Sequence, residues 1–441
     1  MKEQDEGLGR RQFIGTVAAA GAIMMACGGD KTANLKLPPL LDQAPDGPPL
    51  KAGVVGCGGR GTGAALNFLD AGPNIQITAL GDVLSDRLEG CRSKLKAEKG
   101  VEIPPENCFV GFDNHEKVID SGVDIVIIAT PPHFRPEQFA AAINANKHVF
   151  MEKPVAVDPV GARSIMATAQ KADAAGLNVV TGTQRRHQRS YIATYKQIMA
   201  GKIGEIRSAN GYWNGGQLWY RVRKSGWSDM EYMIRDWVNW CWLSGDHIVE
   251  QHVHNLDVIN WFTGERPVKA LGFGSRQRRV TGDQYDNFSI DFTYESGMHV
   301  HSMCRQISGC TNSVSEFIMG TKGSTNCKDK IFAPDGETVL WEYPYPVDEN
   351  GDPIDEVSPY VQEHIHLVTA IRTNDHVNEA ENTAISTMGA IMGRISAYTG
   401  KEVTWEEVMN SDMRLGPDEY AMGPVDIRAV IPVPGEDRER G

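Results

Sequence analysis

The stretch GDHIVEQHVHNLD, residues 245–257, places three histidines, one glutamate and two aspartates within thirteen positions. Side chains of these types at this density suit a proton relay, a metal site or a solvated helix face, and the stretch alone does not choose among them. Continued through VINWF it reads as one helix, which sorts at about 100° per residue into two faces. His247, Glu250, His254 and Asp257 fall on one side, while His252 joins Ile248, Leu256 and Ile259 on the apolar side. His252 is therefore expected to be packed and His254 to face the chemistry. The shared face offers imidazole and carboxylate donors, but the spacing matches no zinc signature and the sequence supplies no obvious further ligand, so no metal is expected.

The elements that must position this stretch begin at KAGVVGCGGRGTGAALNFLDAG, an apolar strand, a glycine-rich turn and a helical segment. Gly56, Gly58 and Gly61, with Gly59 and Arg60 between them, fit G-x-G-x-x-G at a strand-to-helix turn, where backbone amides and the helix N-terminus can hold a pyrophosphate. The next strand, IQITALGDV, ends in Asp82, twenty-one residues after Gly61. That is where an acid binding a ribose 2′-hydroxyl belongs, and it favours NAD over NADP. Strands NCFVGF, VDIVIIATPP, KHVFMEKP and LNVVTGTQ follow, separated by helical stretches such as RPEQFAAAINAN. Apolar strands with helical connectors imply a parallel sheet covered on both faces, a doubly wound Rossmann arrangement whose ligand lies at the strand carboxyl ends. Thr130, Pro131, His133, Glu152, Lys153, Gln184 and Arg185 stand at or just beyond those ends and complete the expected cofactor set. Beyond residue 186 the pattern changes to alternating strands, as in DNFSIDFTYESGMHVHSMCRQ, where His299 and His301 share a sheet-surface face. The expected fold is α/β, with a Rossmann domain over 51–185 and an α/β domain carrying a large open antiparallel sheet over 186–441.

VVGCGGRG, ATPP, MEKP and a downstream acid-x-x-x-His together resemble the Gfo/Idh/MocA family of nicotinamide-dependent oxidoreductases over nearly the whole chain after its leader. The resemblance implies that Lys153 of MEKP reaches the nicotinamide and the reacting oxygen, and that His254 is the catalytic histidine. The family pattern has an aspartate four residues before that histidine and another three after; here Glu250 and Asp257 stand there, so one aspartate has become glutamate. Catalysis is thus expected from Lys153, His254 and Glu250. Hydride transfer from carbon to a nicotinamide needs a base for the hydroxyl proton and no metal.

Seven of the nine tryptophans lie between Trp213 and Trp261. Aromatic faces suit the C–H faces of sugar rings, and the loop WNGGQLWYRVRKSG reads as a cover over the site. Trp213, Trp219, Tyr220, Arg221 and Asp257 are the expected substrate contacts. The reaction expected is NAD-dependent oxidation at a ring secondary hydroxyl of a sugar or glycoside, C3 in particular. One alternative is a glycosidase working through transient oxidation and elimination, although the Y-P-T-H run associated with that branch is missing. Another is a non-catalytic sugar-binding lipoprotein, which the intact Lys153 and His254 argue against.

Fifty-seven acidic against forty-four basic residues give a net charge of -13, which disfavours nucleic acid as a partner. Arg10 and Arg11 before an apolar run resemble a twin-arginine export signal over 1–27, and MMAC ending at Cys27 resembles a lipoprotein box. The chain is therefore expected in the periplasm, in contact with membrane only through a lipidated Cys27, and as a homo-oligomer. Residues 28–50, with five prolines, read as a flexible tether. The remaining seven cysteines are expected to be buried free thiols.

Overall fold

A computed structural model describes residues 37–435; the leader, Cys27 and the first part of the expected tether lie outside the described residues. The first half alternates strands and helices: β1 (Leu50–Val55), α1 (Gly59–Leu69), β2 (Ile75–Asp82), α2 (Ser85–Lys99), β3 (Cys108–Val110), α3 (Asn114–Asp120), β4 (Ile125–Ile128), α4 (Arg135–Asn144), β5 (His148–Met151), α5 (Pro159–Ala174) and β6 (Val179–Thr181). The six strands pair in parallel in the order β3-β2-β1-β4-β5-β6. Every residue of β4 is buried, as a strand covered on both faces requires. The order reverses between β1 and β4, which opens a crevice at their carboxyl ends.

The second half runs α6 (Arg189–Met199), β7 (Ile206–Gly215), α7 (Asp229–Arg235), α8 (Cys241–Ser244), α9 (His247–Glu250), α10 (Val253–Thr263), β8 (Pro267–Ser275), β9 (Asn287–Tyr294), β10 (His299–Gln306), β11 (Ser313–Gly320), β12 (Ser324–Thr325), β13 (Lys330–Phe332), β14 (Val339–Glu342), α11 (Pro359–Thr373), α12 (Ala380–Thr399), β15 (Val403–Thr404) and α13 (Trp405–Asn410). Among the described residues, its strands form one nine-stranded sheet, β14-β13-β12-β11-β7-β10-β9-β8-β15. The pairing is antiparallel except between β7 and β10, which run parallel, so the sheet is mixed rather than wholly antiparallel. Burial alternates along β9 and β10 because one face packs on α10 and α12. His299 and His301 are exposed on the other face.

Two expectations about organisation need correction. Residues 38–50 do not behave as a free tether: Ala44 is buried in the first-half core, its amide bonds Ala71, and Arg372 donates to the carbonyl of Pro45. The division at residue 185 is also crossed, because α11 returns to the first half and places Ile365, Leu367 and Val368 beside Val54, Phe68 and Phe150. The seven cysteines among the described residues are all free thiols; Cys310 is exposed and Cys108 half-buried, the rest buried.

Candidate active site

The nucleotide cradle follows from what the glycines permit. Gly56 has φ +93°, a conformation L side chains rarely adopt, and a Cβ there would meet the Thr130 amide nitrogen at 2.6 Å. A Cβ on Gly61 would lie 1.8 Å from the Gly56 carbonyl oxygen, so α1 packs against the turn only without a side chain. At Gly58 and Gly59 a Cβ would meet nothing within 4 Å: the space above the α1 N-terminus is open, as a bound pyrophosphate needs. Gly56, Gly58, Gly59, Arg60, Asp82, Thr130 and Pro131 line a cavity of about 400 Å³. Asp82 is pushed above the usual carboxylate range by burial, against amide bonds from Leu84 at 2.9 Å and Cys57 at 2.7 Å. Its oxygens keep lone pairs for ribose hydroxyls. Glu152 does not line the cavity but holds Arg60, which does.

The second half closes the far side of this cavity. Trp219, Arg221, Ile234, Arg235 and Trp237 line it opposite Asp82, Leu84 and Arg87. Arg235 pairs with both oxygens of Asp86, at 2.9 and 3.0 Å, and so pins α7 to the start of α2. Trp219 and Arg221, expected at the substrate, thus stand on the nucleotide cavity instead, and Tyr220 does not line it and is 42% exposed. His133 also differs from expectation. Its ring packs edge-on against Phe134, Trp242 and Tyr420 and bonds the Tyr420 hydroxyl at 2.7 Å, outside the nucleotide cavity; Phe134 lines that cavity. Trp237, Arg235 and Leu84 were missed because no motif marks them; they meet the cavity only through chain folding.

Residues 245–257 form one short helix and the start of another, not a single helix. Asp246, itself at φ +72° and buried, accepts from the amides of His247 and Tyr285 and from the Tyr398 hydroxyl, and the chain then breaks at Gln251–His252 before α10. The break removes His247 from the expected shared face: its ring packs on Phe288 and its Nδ1 lies 3.1 Å from Asp246. His252 is fully buried and held by Ser302 at 2.5 Å and Asn255 at 3.0 Å. Burial pushes it down to about 3.

Glu250 and His254 flank the break on the side of Lys153. Lys153 Nζ donates to the Glu250 carbonyl and, at 3.1 Å, to its Oε1. The other oxygen, Glu250 Oε2, is buried with no partner, which marks the place where an external hydroxyl would donate. The His254 ring stacks on Trp213 of β7, centroids 5.6 Å apart and 19° from parallel. Burial, with Lys153, Arg185 and Arg60 adding positive charge, holds its imidazole well below the usual range and hence neutral. Arg185 lies over Trp213 and pairs with Glu316 at 2.7 Å, on the reaction side rather than in the nucleotide cavity. Gln184 opens the same turn. Asp257, expected at the substrate, is instead held by Arg186 through two bonds of 2.8 and 3.0 Å and by Ser386 at 2.9 Å.

Residues 50–179 match the model of an oxidoreductase family with an NAD-binding Rossmann fold, and residues 191–326 match the GFO/IDH/MocA C-terminal domain. A scyllo-inositol 2-dehydrogenase (NAD(+)) of Bacillus subtilis is 24% identical over 278 residues, 62% of this chain and 72% of that protein. A 2,7-anhydro-N-acetylneuraminate hydratase of Escherichia coli is 27% identical over 216 residues, 49% of this chain and 50% of its own length. Other inositol dehydrogenases are matched over 66%, 58% and 43% of their lengths. The crystal structure of scyllo-inositol dehydrogenase from Lactobacillus casei with bound NAD(H) and scyllo-inositol superposes with a TM-score of 0.60 at 22% identity, covering 81% of this chain and 99% of that one.

Proposed function

Because the chain belongs to the Gfo/Idh/MocA family of NAD-binding oxidoreductases, we propose that it is an exported enzyme acting on a ring secondary hydroxyl of a sugar or glycoside, C3 in particular. The observation that carries this reading is the group Lys153, Glu250 and His254, with an unpartnered carboxylate oxygen at its centre. When bound, NAD supplies a hydride acceptor or donor at the reacting carbon. Gly58, Gly59 and Asp82 would hold its pyrophosphate and ribose; Asp82 favours NAD by accepting the ribose 2′-hydroxyl, while Arg87 in the same cavity could accommodate a 2′-phosphate and keeps NADP as the lesser candidate. Lys153 polarises the substrate oxygen and neutral His254 takes its proton. Glu250 anchors Lys153 through Oε1 and receives a neighbouring hydroxyl on Oε2. Trp213 holds the His254 ring and offers an apolar edge to a sugar.

A second reading, transient oxidation followed by elimination and reversal, is favoured by one observation: the similar protein of Escherichia coli is named a hydratase. Both readings need NAD to persist where free nucleotide is scarce. The cover formed by Trp219, Arg235 and Trp237 supports loading before export and slow release, and the twin-arginine-like leader with Cys27 supports a periplasmic, lipid-anchored enzyme. Retention against nanomolar free cofactor needs about 12 kcal/mol.

Incubation with a panel of glycosides, followed by mass spectrometry, tests the chemistry. Loss of two hydrogens supports the dehydrogenase, a released aglycone supports elimination, and an unchanged panel with bound sugar supports a binding protein. Protein isolated from the membrane fraction without added cofactor should release about one nicotinamide per chain on denaturation; cofactor-free protein overturns the retention reading.

A further inference from the structure

Outside the reaction centre, three separated stretches bring His187, His366 and Glu379 together. His187 ends the turn that follows β6, His366 lies on α11, and Glu379 precedes α12. Their donor atoms all lie within 4.8 Å of one another. His187 Nε2 is 3.2 Å from Glu379 Oε1, and His366 Nδ1 is 3.8 Å from the same oxygen. Apart from these approaches to Glu379, neither nitrogen of the His187 ring, which is 1% exposed, has a hydrogen-bond partner, and His366 Nδ1 is likewise buried without one. Buried imidazole nitrogens without partners are costly and call for an explanation. A tetrahedral ion bonded at about 2.0–2.1 Å sets its ligand atoms roughly 3.3 Å apart; the His187–Glu379 edge of 3.2 Å has that spacing, and the His366–Glu379 edge of 3.8 Å needs a shift of about half an ångström to reach it. The second oxygen of Glu379 accepts from the Thr181 amide at 2.9 Å, the kind of outer contact that orients a ligating carboxylate.

We propose that His187, His366 and Glu379 bind one divalent transition-metal ion of the zinc class. Two imidazoles and a carboxylate suit zinc, cobalt or nickel better than magnesium or calcium, which prefer oxygen ligands. The side chains of His366 and Glu379 remain 12% and 13% exposed, so an ion and a completing water can enter. No member of the group is among Lys153, Glu250 and His254, and the site is structural. It ties the turn carrying Arg185 and Arg186 to α11 and α12, and so steadies the pairs that hold Glu316 and Asp257.

The full chain, purified, treated with chelator and returned to metal-free buffer, is titrated with Co²⁺ and with Zn²⁺. The expected result is about one ion per chain, a Co²⁺ absorption spectrum of four-coordinate type, and a melting temperature that rises with free ion. His366→Ala and Glu379→Gln should each weaken binding at least ~10-fold, a usual scale for disturbing a metal site, while nicotinamide content stays unchanged. The near-isosteric Glu379→Gln keeps the packing of the cluster and serves as the independent variant beside His366→Ala. Wild-type protein that takes up no ion, or variants that bind as tightly as wild type, would overturn the proposal; the cluster would then be a buried ion pair alone.

Discussion

In the nucleotide cradle the backbone keeps space open, whereas around the reaction centre side chains are engaged with one another. Gly58 and Gly59 face a void, and Gly56 and Gly61 allow the turn to close beneath it. Along residues 246–257, Asp246 holds His247, Ser302 holds His252, Arg186 holds Asp257 and Lys153 holds one oxygen of Glu250. What remains for a substrate is Glu250 Oε2 and the His254 ring on Trp213. The difference teaches that a binding turn is recognised by what it lacks, while a catalytic stretch rich in polar residues uses most of them for support.

The sharpest test of that contrast separates His254 and Lys153 from their neighbours. His254→Ala and Lys153→Ala should each lower kcat by roughly 10²–10⁴, the scale for losing a positioned proton-transfer group, with nicotinamide content and circular dichroism unchanged. Equal losses from His252→Ala in the same assay would show that the two histidines have been assigned the wrong roles.

Arg186→Ala leaves the Asp257 carboxylate buried and uncompensated, and is expected to destabilise the protein by about 3–5 kcal/mol in urea unfolding. A change below about 1 kcal/mol, the range of exposed ion pairs, would mean that Asp257 is free enough to serve the substrate after all.

His252→Ala should cost about 1–3 kcal/mol of stability through the polar partners it strands, with less than a tenfold change in kcat. The same burial has a pH signature. With a native value of about 3 against about 6.5 unfolded, the unfolded chain takes up the proton first. The contribution is fully present above pH 6.5 and is lost progressively as pH falls toward 3, at up to ~1.4 kcal/mol per unit. Unfolding free energies at pH 7, 6 and 5 should therefore fall less steeply in His252→Ala than in wild type; parallel slopes would show that His252 does not carry this term.

At the small end, Gly58→Ala meets no protein atom within 4 Å and should leave the melting temperature of the apoprotein within about 1 °C, since no cavity or clash arises. Its methyl group enters the pyrophosphate space, so NAD affinity should fall about tenfold, about 1.4 kcal/mol. Unchanged affinity would place the nucleotide elsewhere in the cavity.

Local covalent geometry made much of this legible in the amino-acid order. The glycine spacing at 56–61, the acid at the end of β2 and the all-apolar β4 each follow from backbone sterics or strand period, which act over a few residues. So does the sorting of His252 from His254, since His252 caps α10 and His254 lies in its first turn, where a helical period holds. The structure breaks the helix expected over residues 245–262, because the contacts of Asp246 to Tyr285 and Tyr398 come from the loop before β9 and from α12, distant in sequence. Tertiary structure alone decided that Trp219 and Arg221 cover the nucleotide cavity, that Asp257 belongs to Arg186, and that α11 returns to the first half. Each of these depends on which surface a side chain finds after the chain has crossed between sheets. No periodicity encodes that choice, since the partners lie tens to hundreds of residues apart and meet only when the core is closed.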